Sequence, residues 1–153
     1  MNSAQNPQDL WSIILAGGNG ERLKPMVQRW LGQHKPKQYC TFIGTRSMFQ
    51  HTLDRSDRII APERRVTIIA RDHQDDAWSQ LLSRPHGKVI LQPSNRETSA
   101  GIFLGLTYIR AHDPQATVLI FPSDHFVYPE DAFAEMASSL ARAARNLKHW
   151  IFL

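Results

Sequence analysis

The sequence contains a single cysteine, Cys40, so no disulfide can form within the chain and we expect a reducing compartment. No apolar run approaches the roughly 20 residues that span a bilayer, which argues against a membrane protein. The N-terminal residues are polar and lack the basic and long apolar segments of a signal peptide. We therefore expect a cytoplasmic protein without a membrane partner.

Neither sign of charge dominates the sequence. Lys and Arg number 18 and Asp and Glu number 14, which leaves a net charge of +4 at pH 7. This mild excess suits a phosphate-bearing small molecule, but the basic residues are scattered, so we expect no nucleic-acid partner. A chain of 153 residues, 42% of them hydrophobic, is typical of one globular domain and excludes a disordered or collagen-like protein.

Short apolar runs alternate with longer amphipathic stretches. The runs at residues 11–16, 66–70, 88–92 and 117–121 are rich in β-preferring residues and predict buried strands. The stretches between them predict helices. This alternation predicts an α/β fold, a three-layer Rossmann-like architecture with a mostly parallel sheet and helices on both faces.

Polar residues and one proline mark where the predicted helices begin. The first is predicted to start at Ser47, and Pro129 is predicted to open the last. Asp72 and Thr98 are predicted to cap the two helices between them. In the helix that follows Asp72, the spacing predicts that Leu82 faces inward.

The ends of the chain also carry predictions. Residues 1–10 are interpreted as a flexible segment and residues 11–153 as one nucleotide-binding domain. Residues 149–153 are apolar and predict a fifth strand, which would need neighbours on both faces. We therefore expect the domain to be incomplete at its C-terminus.

Three loops follow predicted strands, and in a parallel sheet they open on one edge, where ligands bind. The first contains Gly17, Gly18 and Gly20, whose lack of side chains lets the backbone approach a phosphate. A tight strand-to-helix turn without a ligand is the alternative. The glycine spacing fits neither a P-loop nor a dinucleotide fingerprint, which needs a third glycine where Leu23 stands.

Charged residues accompany the glycines. Arg22, Lys24, Lys35 and Lys37 follow closely, and a guanidinium such as that of Arg22 can hold phosphate oxygens with two N–H groups. Solvated surface cations are the alternative, which we favour for Lys24. Asp124 follows the fourth strand and can bind Mg²⁺ that bridges phosphates, or it can serve as a turn residue.

Four motifs, at residues 15–25, 35–39, 92–100 and 121–125, together resemble the sugar-1-phosphate nucleotidyltransferases, and within them the mannose-1-phosphate guanylyltransferase branch. The resemblance spans about residues 11–153 and implies a nucleotide-diphospho-sugar transferase type of fold. It also implies a reaction in which a phosphate oxygen of mannose 1-phosphate attacks the α-phosphorus of GTP. Pyrophosphate leaves and Mg²⁺ is required. A homo-oligomer is compatible with this resemblance.

The resemblance also implies roles for residues at matching positions. Arg22 would stabilise the departing pyrophosphate, Lys37 would contact the reacting phosphates, and Asp124 would bind Mg²⁺. The residues that would hold the nucleotide are Ala16, Gly17, Gly18 and Gly20, beside its phosphates and ribose, and Gln92, Arg96 and Thr98, near its base.

The sequence departs from the family pattern at Glu21, where Thr or Ser is common, and at Ser99, where Ala is common. The family's sugar-binding segments and a second metal carboxylate match no residue of this chain. Two alternatives therefore stay open. One is a non-catalytic nucleotide-binding fragment or regulatory subunit, and the other is a related uridylyl-, thymidylyl- or cytidylyltransferase.

Overall fold

Among the residues that the structure describes, four parallel strands form a central sheet. The computed structural model describes residues 9–94 and 96–147. The strands are β1 (Leu10–Ala16), β2 (Arg65–Ala70), β3 (Lys88–Gln92) and β4 (Thr117–Pro122), in the order β3-β2-β1-β4. All pairings are parallel, so the predicted α/β class and all four predicted strands are confirmed.

In the described part of the chain, five α-helices surround the sheet. They are α1 (Lys24–Leu31), α2 (Met48–Asp57), α3 (Gln74–Leu81), α4 (Glu97–His112) and α5 (Glu130–Leu147). Short 3₁₀ turns precede several of them or connect them to strands. The helix α1 and the turns around it were not predicted from the sequence.

Successive residues of β1 face opposite sides of the sheet, as the pleat requires. Ile14 and Ala16 belong to a cluster that contains buried residues of α2, α3 and α5. Ile13 belongs to a second cluster, which Ile109 and Leu106 of α4 complete. The sheet is therefore covered by helices on both faces, as the sequence predicts.

Two predicted helix starts are wrong. Helix α2 begins as predicted, with Ser47 in a reciprocal capping box with Gln50. Asp72 instead lies inside a 3₁₀ turn that delays α3, and Leu82 just after that helix is 74% exposed. Thr98 lies inside α4, whose N-cap is Arg96, and no side-chain oxygen caps this helix.

Two further predictions concern the ends of the chain. The predicted fifth strand at residues 149–153 lies outside the described residues. The division into a flexible segment 1–10 and a domain 11–153 stays a prediction, and β1 begins at Leu10.

Among residues 9–94 and 96–147, no helix combines the length and the apolar character needed to cross a membrane.

Candidate functional site

A cleft of about 510 Å³ opens at the carboxyl edge of the sheet. It lies beside β1, where the order of the strands reverses. The next strands along the chain, β2 and β3, lie on one side of β1, and β4 lies on its other side. Crevices at such points bind ligands in open α/β sheets. The lining residues are Leu15, Gly17, Gly18, Asn19, Gly20, Glu21, Lys37, Gln38, Ile68, Gln92, Glu97, Thr98, Gly101, Pro122, Ser123 and Asp124.

The glycine loop after β1 follows a path that side chains would obstruct. Gly20 has a φ of 66°, and a Cβ there would lie 3.3 Å from the backbone nitrogen of Lys37. A Cβ on Gly17 would lie 3.3 Å from Oε1 of Gln92. The loop is thus packed between Gln92 at its start and Lys37 at its end, with its backbone along the cleft.

A 3₁₀ turn at Lys37–Tyr39 holds the glycine loop in place. The buried amide of Gln38 donates from Nε2 to the carbonyl oxygens of Ala16, at 3.0 Å, and Gly18, at 2.8 Å. The Tyr39 hydroxyl also donates to the Ala16 oxygen, at 3.0 Å. Burial raises the pKa of Tyr39 far above its ordinary value, so this hydroxyl keeps its proton.

The same turn also places the ammonium of Lys37 in the cleft. Nζ of Lys37 lies 2.6 Å from Oδ2 of Asp124, and both side chains are only partly exposed. The Ser123 hydroxyl donates to the Leu15 carbonyl at 2.6 Å, which fixes the end of β4 beside β1. The bond from Ser123 therefore positions the neighbouring Asp124 at the end of β4, where it contacts Lys37 across the edge of the sheet.

The carboxylate of Asp124 could supply one ligand to a magnesium ion. Within the described part of the chain, no group of three or more His, Cys, Asp and Glu residues could bind a metal. Mg²⁺ commonly uses one or two carboxylates and takes its other ligands from substrate phosphates and water. The ion pair with Lys37 shows that this carboxylate already faces a positive charge.

The cleft collects most of the residues that the sequence predicts. Gly17, Gly18, Gly20, Lys37, Gln92, Thr98 and Asp124 all line it. Ala16 is buried beneath the loop, and its carbonyl oxygen accepts the bonds from Gln38 and Tyr39. Arg22 and Arg96 are exposed and are not among the lining residues. The functional roles of these predicted residues stay predictions.

The lining residues that were not predicted as site residues include the polar residues Asn19, Gln38 and Glu97. Gln38 is a buried polar residue, and its bonds to the glycine loop depend on a tertiary contact that no local pattern shows. Glu97 has a φ of 65°, which is rare for a residue with a side chain. Glu21, a departure from the family pattern, keeps a largely exposed side chain 3.7 Å from Nζ of Lys24.

The chain belongs to the nucleotidyl transferase family, whose sequence profile matches residues 11–153. Among its relatives is the xanthan biosynthesis protein XanB of Xanthomonas campestris, 30% identical over 142 residues, which are 92% of this chain and 29% of that protein. The mannose-1-phosphate guanylyltransferase of Salmonella montevideo is 31% identical over 125 residues, 80% of this chain and 25% of the relative. The chain thus spans less than a third of either relative's length.

Solved structures show the same fold. A structure described as mannose-1-phosphate geranyltransferase from Thermus thermophilus matches 90% of this chain and 38% of its own, with a TM-score of 0.72 and 27% identity. A 4-diphosphocytidyl-2C-methyl-D-erythritol synthase from Anaerococcus prevotii matches with a TM-score of 0.59 at 19% identity. This second likeness shows the fold alone.

Proposed function

We propose that this chain carries the nucleotide-binding half-site of a mannose-1-phosphate guanylyltransferase, which makes GDP-mannose and pyrophosphate from GTP and mannose 1-phosphate in the cytoplasm. The observation that carries the proposal is the meeting of Lys37 and Asp124 beside a glycine loop at the switch point of the sheet. The name of one relative, a mannose-1-phosphate guanylyltransferase, supports the choice of substrates.

The glycine loop and Lys37 supply what a triphosphate requires. Backbone N–H groups can approach phosphate oxygens where no side chain intervenes, and the Lys37 ammonium adds a compact positive charge. In the proposed reaction, a phosphate oxygen of the sugar forms a bond to the α-phosphorus, and the bond to pyrophosphate breaks. The nucleophile is already anionic, so the residues position the reactants and neutralise charge rather than remove a proton.

Asp124 would hold Mg²⁺ together with the nucleotide phosphates. When bound, that ion neutralises charge on the phosphate oxygens and on the leaving pyrophosphate. The Lys37 ammonium would oppose the binding of the ion at Asp124 by charge repulsion, and the phosphates would draw this ammonium toward themselves. Arg22, at the end of the glycine loop, is proposed to assist the leaving group from its exposed position.

Binding and turnover need separate measurements. Titration calorimetry of the purified chain with GTP and Mg²⁺ reports binding, and a pyrophosphate-release assay with mannose 1-phosphate reports turnover. We expect both in the wild type and a loss of Mg²⁺-dependent binding in Asp124→Asn. Asp75→Asn is the matched control, since Asp75 is an exposed residue of α3 outside the cleft and should behave as wild type.

The same assays decide between the alternatives. Binding of GTP without pyrophosphate release would support the non-catalytic reading of this chain. A panel of UTP, dTTP and CTP with several sugar phosphates tests nucleotide choice, and equal or better turnover with UTP would defeat the guanine assignment. Wild-type binding by Asp124→Asn would show that the metal is held elsewhere.

A further inference from the structure

The amide side chain of Gln80, in α3, joins the turn that carries Lys37 to the start of α2. Its Nε2 donates to the carbonyl oxygen of Tyr39, the last residue of that turn, at 3.3 Å. Its Oε1 accepts from the hydroxyl of Ser47, the N-cap of α2, at 2.6 Å. The side chain is half-buried and does not line the cleft, so it can act on a ligand there only through the residues that it holds.

The donors and acceptors of this connection are matched. A backbone carbonyl oxygen can only accept, so the amide nitrogen of Gln80 faces Tyr39 and its oxygen faces Ser47. The Ser47 hydroxyl accepts from the backbone nitrogen of Gln50 at 3.1 Å, which leaves the hydroxyl proton for Gln80. The capping box at the start of α2 therefore holds the amide of Gln80 in one orientation.

The bond to Tyr39 acts on Lys37 through a single peptide unit. The carbonyl of Tyr39 and the N–H of Cys40 belong to one planar group, so a rotation of that plane moves both. This N–H donates to the carbonyl oxygen of Lys37 at 3.1 Å and closes the turn. Because Gln80 fixes one end of the plane, it restrains the backbone of Lys37 at the other end.

We propose that Gln80 is a positioning residue for the Lys37 ammonium, an inference that rests on the proposed nucleotide site. The side chains of Gln38 and Tyr39 hold the turn against the glycine loop, whereas Gln80 fixes the orientation of the backbone itself. The ammonium of a lysine is carried on a flexible stem, so its average position depends on how firmly the backbone beneath it is held. Loss of Gln80 would leave the charge less often in the place where phosphates need it.

Two ligands should respond to Gln80→Met in opposite directions. The affinity for GTP with Mg²⁺ should fall about two- to tenfold, the range for the loss of one hydrogen bond. Binding of Mn²⁺ to the nucleotide-free chain should tighten, by up to about threefold, because the Lys37 ammonium spends less time beside Asp124. Titration calorimetry measures both affinities. Damage to the fold alone would weaken the binding of both ligands.

A double-mutant cycle with Lys37→Met locates the effect. In the Lys37→Met background, Gln80→Met should change the affinity for GTP by less than about twofold, because residues that act through one another do not contribute additively. Gln115→Met is the matched control. Gln115 is exposed and precedes β4, at the edge of the sheet opposite the cleft, so this variant should bind both ligands as wild type does.

Gln80→Glu separates the two bonds of the amide. An ionised carboxylate still accepts from the Ser47 hydroxyl, but it cannot donate to the Tyr39 oxygen. This variant should lose GTP affinity as Gln80→Met does, and the part of the loss that depends on Lys37 should vanish in the Lys37→Met background. Wild-type affinity for GTP in Gln80→Glu would show that the bond to Tyr39 does not position the cation.

The outcomes distinguish the two levels of the proposal. A wild-type chain that binds no GTP overturns the proposed nucleotide site and the role of Gln80 with it. A wild type that binds GTP, beside a Gln80→Met variant that binds GTP and Mn²⁺ equally well, overturns the role of Gln80 alone. So does weaker binding of both ligands by that variant, or an equal loss of GTP affinity with and without Lys37.

Discussion

Lys37 and Asp124 form an ion pair across the cleft, with Nζ of the lysine 2.6 Å from Oδ2 of the aspartate. One residue comes from a 3₁₀ turn and the other from the loop after β4, and the two are separated by most of the chain. In the proposed function each has a different partner, phosphate for the ammonium and Mg²⁺ for the carboxylate. The ion pair of the nucleotide-free cleft therefore competes with the binding of phosphate and of Mg²⁺.

Replacing Lys37 should reveal this competition. In Lys37→Met, the nucleotide-free chain should bind Mn²⁺, a probe for the Mg²⁺ site, up to about fivefold more tightly, because a partly exposed ion pair contributes about 0.2–1 kcal/mol. Binding of GTP with Mg²⁺ should weaken in the same variant, since the phosphates lose a cation. Titration calorimetry measures both affinities.

Lys35→Met is the matched control for that experiment. Lys35 pairs with Asp76 at 3.4 Å, and neither residue lines the cleft. Its replacement should leave the affinity for Mn²⁺ unchanged. An unchanged Mn²⁺ affinity in Lys37→Met would show that the ion pair does not restrict the metal site.

The strands were predictable because their physical signal is local. Runs of apolar β-preferring residues identify all four, and the glycine loop and Asp124 follow directly from where β1 and β4 end. Helix α1 is only eight residues long, and it buries Val27 while it exposes Trp30 and Met26. The short turn at Lys37–Tyr39 depends on distant hydrogen bonds from Gln38 to the glycine loop. Local sequence patterns cannot show such contacts.

The start of α4 illustrates a second limit of sequence reasoning. Thr98 has the side chain of a typical N-cap, but the helix begins one residue earlier, at Glu97, and Arg96 provides no side-chain cap. Glu97 adopts a left-handed backbone conformation instead. Such an exception to local preference is set by tertiary structure and is common where a site requires it.

Gln38 should be essential for the shape of the glycine loop. Gln38→Met keeps the length of the side chain but removes the donor to two carbonyl oxygens, a buried one of Ala16 and a partly buried one of Gly18. We expect a loss of about 1–3 kcal/mol in the free energy of unfolding, together with weaker binding of GTP. Urea denaturation and a GTP titration measure the two effects.

Tyr39→Phe provides the comparison for Gln38. It removes one donor to the Ala16 oxygen, which still accepts from Gln38, so the expected loss is smaller, about 0.5–1.5 kcal/mol. GTP affinity should change little in this variant. If Gln38→Met lost stability but bound GTP as wild type does, the amide would be a core residue that does not shape the loop.

Arg65 at the start of β2 is a fully buried cation that forms an ion pair with Asp57. Burial lowers the pKa of Arg65, and the Asp57 carboxylate opposes that shift. Asp57→Asn removes the carboxylate that pairs with the buried Arg65 and also with Arg84, which should cost about 3 kcal/mol of stability. Nucleotide affinity should be unaffected, because Arg65 lies at the amino end of its strand, away from the cleft. Chemical denaturation and a GTP titration test both statements.

Asp54→Asn is the control for that variant. Asp54 pairs with Arg46 and Arg84, neither of which is fully buried, so its replacement should cost no more than about 1 kcal/mol. Equal losses for Asp54→Asn and Asp57→Asn would show that burial of Arg65 does not set the cost.

His73 should make the fold less stable in mild acid. The side chain is buried against the ring of Tyr39, and burial lowers its pKa while Asp72 and Asp76 act in the opposite direction. Above the ordinary histidine pKa of about 6.5 the residue is neutral in both states. As the pH falls below that value the unfolded chain binds the proton first, so the free energy of unfolding decreases.

Replacement of His73 by phenylalanine should remove this dependence. Between pH 7.5 and 5.5 we expect wild type to lose up to about 1 kcal/mol more stability than His73→Phe, as the linkage of one proton requires. Urea denaturation at the two pH values measures the difference. His112→Gln, which alters an exposed histidine of α4, should keep the wild-type dependence. Parallel pH profiles for wild type and His73→Phe would mean that His73 titrates in the folded chain as it does in the unfolded one, despite its burial.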